Sequence, residues 1–191
     1  MTVSLEKWTY DKYRELPDDG NRYEVLEGEL HMTPAPSSYH QKISRRIQFL
    51  FYELERAGKG EIYNAPVDLL MPGAQPAQPD LVYLTSKQLA AVTERGIEGV
   101  PDLVVEILSP STATRDRVDK LHIYRKAGVK RYLIVDVQAR SIEVLLLDGK
   151  SYRVEASLGP ADEHLFEDYG VKISVDDVFQ GIPTPSGGTE L

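Results

Sequence analysis

The run Leu103-Val104-Val105-Glu106-Ile107-Leu108 constrains this chain more than any other stretch. An unbroken apolar run of this length, with Pro101-Asp102 before it and Ser109-Pro110-Ser111-Thr112 after it, reads as a buried strand. Glu106 lies inside that run. A charge in apolar surroundings is costly unless it is paired, protonated or bound to a metal. A second strand-like run, Gln78-Pro79-Asp80-Leu81-Val82-Tyr83-Leu84, opens with an acid. The expectation is a sheet that brings Asp80 and Glu106 together at one point.

The rest of the chain supplies the elements for such a sheet. Residues 5–15 read as a short amphipathic helix ended by Pro17-Asp18-Asp19-Gly20. Residues 22–26 and 29–32 flank Glu27-Gly28 as a hairpin. Ile43, Ile47, Leu50, Phe51 and Leu54 recur at helical spacing in a helix from Ser37 or Ser38 to about Arg56. Short strands are expected at 61–64 and 67–71, and a helix at 86–95. The strand of Glu106 leads into a helix over 114–127, stopped by Gly128. Strands follow at 130–137, 141–147 and 152–154, with a last helical turn at 175–179. This order describes one α/β (α+β) domain over 1–181, a mixed β-sheet flanked by helices, with a loose tail at 182–191. The unit from Leu103 to Val137 should join two parallel strands.

Composition closes off several classes. With no cysteine, disulfides, thiolate nucleophiles and zinc–thiolate sites are excluded. No apolar run approaches the ~18 residues that span a bilayer. The first eight residues lack the basic-then-apolar order of a signal peptide, so the expected location is cytoplasmic, with no membrane partner. A net charge of −8 argues against broad coating of nucleic acid and fits a site rich in carboxylates.

Strand geometry selects the partner of Glu106. Asp102 shares its face, but four residues at ~3.3 Å each set the two acids ~13 Å apart. Two ligands of one Mg²⁺ lie only ~2.1 Å from the ion, so Asp80, on another strand, is the better partner. Oxygen-only ligation by two acids fits Mg²⁺ or Mn²⁺. A cation is still needed at the reacting phosphate. Lys120 is the candidate, since at ~100° per residue it lies roughly 40° from Tyr124, at the edge of the packed stripe of its helix. Plainer roles stand beside these. Glu106 could form a salt bridge with Lys120 or Arg115, and Lys120 an i,i+4 pair with Asp116.

The combined order of Gln78-Pro79-Asp80, the stretch from Pro101 to Thr112, Arg115-Asp116, Lys120, Tyr124, Gly128-Val129 and Tyr132-Leu133-Ile134-Val135-Asp136 resembles the Uma2 family. Tyr23 to Leu30 is similar to that family's N-terminal hairpin. The resemblance covers roughly residues 5–180. It implies a restriction-endonuclease-like core of the PD-(D/E)XK superfamily, with the hairpin as a decoration. By that resemblance Asp80 matches the acid of the PD motif and Glu106 the D/E. The pattern's lysine, two residues after the acid, is replaced by Leu108, and the resemblance places a lysine on the following helix, at Lys120. The implied activity is Mg²⁺-dependent endonuclease cleavage of phosphodiesters, with DNA as partner. Duplex cleavage needs two sites, which a homodimer would supply. The alternative is a non-cleaving nucleic-acid-binding or assembly domain of the same fold.

Secondary candidates are Glu24 as a further acid, His40 in the first turn of the long helix, Gln78 beside Asp80, and Tyr124. Gly149-Lys150-Ser151 lacks the first glycine of a phosphate-binding loop and reads as a hairpin turn. The four histidines show no paired metal spacing. Arg45-Arg46 and Lys126 with Lys130-Arg131 are local basic clusters, read as solvated helix faces.

Overall fold

The computed structural model describes residues 7–17, 22–26, 28–33, 35–74, 76–110 and 112–184. Helix α1 (Tyr10–Arg14) is capped by Thr9, and strands β1 (Arg22–Leu26) and β2 (Glu29–Thr33) form the expected antiparallel hairpin. The expected helix is thus shorter than 5–15, and the turn at Asp18 to Gly20 lies outside the described residues. Helix α2 (Ser38–Arg56) starts where the sequence indicates. The Ser37 hydroxyl accepts from the His40 N–H and satisfies a donor that the first turn would otherwise orphan.

Six strands make the central sheet. They are β3 (Gly60–Asn64), β4 (Leu81–Thr85), β7 (Leu103–Leu108), β8 (Arg131–Asp136), β9 (Ser141–Asp148) and β10 (Ser151–Leu158), in the order β10-β9-β8-β7-β4-β3. β7 and β8 are parallel, and every other neighbour is antiparallel. Between β7 and β8 runs one helix over 113–127, made of α3 (Ala113–Arg115), a π turn (Asp116–Lys120) and α4 (Leu121–Ala127). Gly128 ends it in the left-handed region, at φ 92°, and returns its N–H to Tyr124 and Arg125.

The sheet is covered on both faces, which is why β7 is buried at all six positions. Leu103, Val105 and Ile107 face a core built with Ile43, Ile47, Phe51 and Leu54 of α2. The same core takes side chains from the hairpin β11 (Glu163–Phe166) and β12 (Val171–Ser174) and from α5 (Val175–Phe179). Val104 and Leu108 face the opposite layer, with Ile123 and Tyr124 of α4 and Tyr132 and Ile134 of β8. Alternation puts Glu106 on that second face.

The structure departs from the sequence reading in several further places. The strand expected at 67–71 reduces to single bridges from Leu69 to Ala77 and Ile97, in a segment bounded by Pro66 and Pro72. The helix expected at 86–95 is a 3-10 turn (Ser86–Ala91), followed by the small hairpin β5 (Val92–Thr93) and β6 (Gly96–Ile97). The β-branched pair Val92-Thr93 favours strand over helix. The β11–β12 hairpin was not anticipated, and β10 is longer than 152–154. The basic clusters are not solvated faces throughout. Arg131 is buried between Glu155 and Asp168, and Arg46 donates to the carbonyls of Val178 and Gln180. Of the tail, residues 185–191 lie outside the described residues. Among the described residues no helix is long and apolar enough to cross a membrane.

Candidate active site

The antiparallel pairing of β4 with β7 sets Leu81 opposite Val105, so the next step places Asp80, just before β4, opposite Glu106. Asp80 stands at this end of the sheet, where the N-terminal turn of α2 passes. Its Oδ2 accepts from the Ile107 N–H at 2.8 Å and meets His40 Nε2 at 3.0 Å. Burial acts to raise the pKa of Asp80. The His40 hydrogen bond and charge, the Ile107 N–H and the charge of Lys120 together outweigh it and hold the carboxyl below its ordinary value.

Glu106 has a different environment. Its Oε1 accepts from Lys120 Nζ at 2.9 Å and from the Tyr124 hydroxyl at 2.7 Å. Burial pushes its pKa well above the ordinary value. Lys120 opposes that push, and Asp116, Asp80 and Glu24 add to it. Tyr124 and Glu106 are buried, and burial followed by the nearby carboxylate keeps the phenol protonated. Two carboxylates facing each other across a strand pair are thus pushed in opposite directions. Asp80 stays ionised and Glu106 retains a proton more readily.

Lys120 is the centre of the cluster. It is 3% exposed, although its neighbours in sequence are ordinary helix residues. Its Nζ lies 2.9 Å from Glu106, 3.1 Å from Glu24 Oε2 and 3.5 Å from Asp116 Oδ1. Burial works against its charge, but Glu106, Glu24 and Asp116 hold the ammonium well above the ordinary lysine pKa. The π turn carries both Asp116 and Lys120 inward, and the Tyr132 hydroxyl of β8 donates to the Asp116 carbonyl at 2.9 Å. Such turns relax the helical hydrogen-bond ladder and recur at functional sites.

Glu24 reaches the cluster from β1 and is 2% exposed. It binds Lys120 and, through Oε1, Arg115 at 3.3 Å, and its Oε2 accepts from the Gln78 N–H at 3.4 Å. The decorating hairpin therefore delivers a side chain that holds two cations of the 113–127 helix. Gln78 turns its side-chain amide away, donating to Asp68 at 2.9 Å and to the Tyr13 hydroxyl at 3.1 Å. Asp102 lies at the far end of β7, where it accepts from Tyr169, so it takes no part here, in line with the strand spacing.

These groups line a cleft of about 340 Å³, which Glu24, His40, Gln78, Asp80, Glu106 and Lys120 share with Ser37, Tyr39, Ser109, Thr112, Arg115 and Asp116. All seven candidate residues are thus brought together, with Tyr124 standing behind Glu106 rather than in the cleft wall. Arg115 and Asp116 were read from sequence only as ion-pair partners, of Glu106 and Lys120 respectively; the structure forms the Asp116–Lys120 pair and gives Arg115 to Glu24 instead. Their signal is faint, since a charged pair in the first turn of a helix is usually solvated, and Glu24 is distant in sequence.

A mixed sheet with a parallel pair at its centre, helices on both faces and acids meeting at the end of two neighbouring strands is the restriction-endonuclease-like fold. A solved structure from Anabaena variabilis, described as a putative nuclease belonging to DUF820, superposes with a TM-score of 0.74 at 18% identity, covering 90% of this chain and 97% of that one. The chain belongs to the Uma2 family, whose model, described as "Putative restriction endonuclease", matches residues 10–176. An uncharacterized protein from Synechocystis sp. is 25% identical over 162 residues, covering 84% of this chain and 85% of its relative.

Proposed function

We propose that this chain is a metal-dependent endonuclease that hydrolyses phosphodiester bonds in DNA, with Asp80, Glu106 and Lys120 as its catalytic residues. The observation that carries the reading is the pairing of Asp80 and Glu106 at facing positions, with Lys120 Nζ 2.9 Å from Glu106. The lysine missing at position 108 has a counterpart arriving from the next helix. Family membership and the shared fold support the nuclease class.

The donor set fits a hard divalent cation. Asp80 and Glu106 each engage one oxygen with the protein, Oδ2 and Oε1. Their second oxygens, Asp80 Oδ1 and Glu106 Oε2, lie outside those contacts, and both side chains line the cleft. Among the described residues no three His, Asp or Glu side chains form a ready-made metal cage. Two carboxylates completed by water are the coordination that Mg²⁺ or Mn²⁺ accepts. A bound ion supplies Lewis-acid polarisation of a phosphoryl oxygen and acidifies water.

The chain's own residues do the remainder. His40 and the Ile107 N–H fix the Asp80 carboxylate in its ionised form. Tyr124 and Lys120 orient Glu106. Burial raises the pKa of Glu106, so cation binding, which requires the ionised carboxylate, should strengthen as pH rises through its titration. Lys120 brings a fixed positive charge to the cleft, where it stabilises charge developing on the phosphate. Glu24 and Asp116 keep it charged and in place. Replacing Asp80 with Ala should abolish cleavage with the circular-dichroism spectrum unchanged. A variant that cuts like wild type would overturn the assignment, and metal-independent DNA binding without turnover by wild type would favour the non-cleaving alternative.

A further inference from the structure

The outward face of α2 is used by neither the core nor the cleft. At ~100° per residue, Gln41, Arg45, Phe49, Tyr52 and Arg56 fall within about 40° of one line along the helix, opposite Ile43, Ile47 and Leu54. Phe49 is 69% exposed and Tyr52 47%, and their rings stack with centroids 6.5 Å apart. Two exposed aromatics at the solvent pole of a helix whose other face is fully packed form an apolar patch of the kind that marks an interaction surface. Charged residues frame it. Arg45 is exposed and has no ion-pair partner among the described residues, while Glu53 pairs only with Arg56, in an exposed i,i+3 contact at 3.3 Å.

We propose that this face is a self-complementary interface, on which two copies of the chain pair through antiparallel α2 helices with Phe49 on the twofold axis. The charge pattern selects the second copy as the occupant. In an isologous pair centred on Phe49, Arg45, one turn before it, meets Glu53 of the second copy, one turn after it, and symmetry makes that contact twice. Centring the axis between Phe49 and Tyr52 would instead set Arg45 against Arg56. A crossing angle near −50°, the commonest helix packing, keeps the central turns in contact and splays the basic ends at Lys42 and Arg56 apart. A nucleic-acid track fits less well, because Glu53 flanks Phe49 at the edge of the face and the chain carries a net charge of −8. One face of a 19-residue helix is smaller than the ~800 Å² per partner of a standard interface, so the dimer is reversible, with a dissociation constant on the order of tens of micromolar. This inference is independent of the nuclease reading.

Sedimentation velocity on the full chain, from about 2 to 500 µM, tests it. Wild type should shift from monomer to dimer across that range, and Phe49→Glu should remain monomeric throughout. Arg45→Glu should raise the dissociation constant by about tenfold or more, and the double reversal Arg45→Glu/Glu53→Arg should restore it to within about threefold. A wild type that stays monomeric at the highest concentration would overturn the proposal. So would a dimer that Phe49→Glu leaves intact, or a double reversal no better than the single. If Phe49→Glu weakens binding of a DNA duplex while sedimentation is unchanged, the face belongs to nucleic acid and the dimer proposal fails.

Discussion

Replacing Lys120 with Met removes the one ammonium that three buried carboxylates share. Met keeps most of the side chain's volume, so the change is electrostatic rather than a cavity. Glu106, Glu24 and Asp116 lie 2.9, 3.1 and 3.5 Å from Nζ, and all are buried. Removing one partner from a buried ion pair costs about 3–5 kcal/mol. The variant can lower that cost by protonating a carboxylate, and Glu106, already raised by burial, is the group to take the proton. A glutamate with an unfolded pKa of ~4.3 must then be held protonated, at about 1.36 kcal/mol per pH unit above that value, which is about 5 kcal/mol at pH 8 and about 1 at pH 5. Its folded pKa lies above its unfolded one, so the folded state binds more protons and stability falls as pH rises between the two. The expected deficit relative to wild type is therefore about 3–5 kcal/mol at pH 8, shrinking to about 1–2 kcal/mol at pH 5. Adding Glu106→Gln, which needs no proton, should recover much of the loss at pH 8. Urea unfolding followed by circular dichroism at both pH values measures each quantity. A Lys120→Met deficit below about 1 kcal/mol at pH 8, or one that does not shrink with falling pH, would refute the account of the cluster.

Two further outcomes follow from particular contacts. Tyr124→Phe deletes the hydroxyl that donates to Glu106 Oε1 and should cost about 1–2 kcal/mol in the same urea assay, because a buried acceptor loses one of its two donors. Glu155 and Asp168 are both held below their ordinary pKa, Glu155 chiefly by the Arg131 hydrogen bond and Asp168 by those from Lys130 and Arg131. Their contribution to stability is present above pH ~4 and is lost as pH falls below it, so Glu155→Gln/Asp168→Asn should flatten the acid limb of the melting temperature between about pH 4 and 2.

Much of the central architecture is legible in the sequence because the physics behind it is local. The apolar periodicity of α2 fixes its inward face, Gly128 marks a helix end, and a glutamate amid Leu, Val and Ile has few places to go. Neighbouring strands were enough to pair Asp80 with Glu106, since the ~13 Å along one strand excluded Asp102. Lys120 was placed from helical spacing and from the family resemblance, and the structure buries it deeper than a helix edge because the π turn rotates it inward. That turn has no sequence signature of its own. It is stabilised by Tyr132, on a strand formed later in the chain. Arg115 looks like a solvated helix residue until β1 brings Glu24 against it. Arg131 reads as surface charge because its acids, Glu155 and Asp168, arrive from β10 and the loop after β11. The β11–β12 hairpin was missed for a different reason. Four-residue strands alternate too briefly to stand out, and they are stabilised by Phe166, Val171 and Ile173 entering the α2 core.

Cleavage of supercoiled plasmid and single-stranded DNA in Mg²⁺, Mn²⁺ or EDTA, with wild type beside Glu106→Ala, tests the central claim most directly. Metal-dependent cutting by wild type, silenced by EDTA and by the Glu106 substitution, is the predicted result. Undiminished cutting by the variant, or no cutting by wild type under either metal, would contradict it.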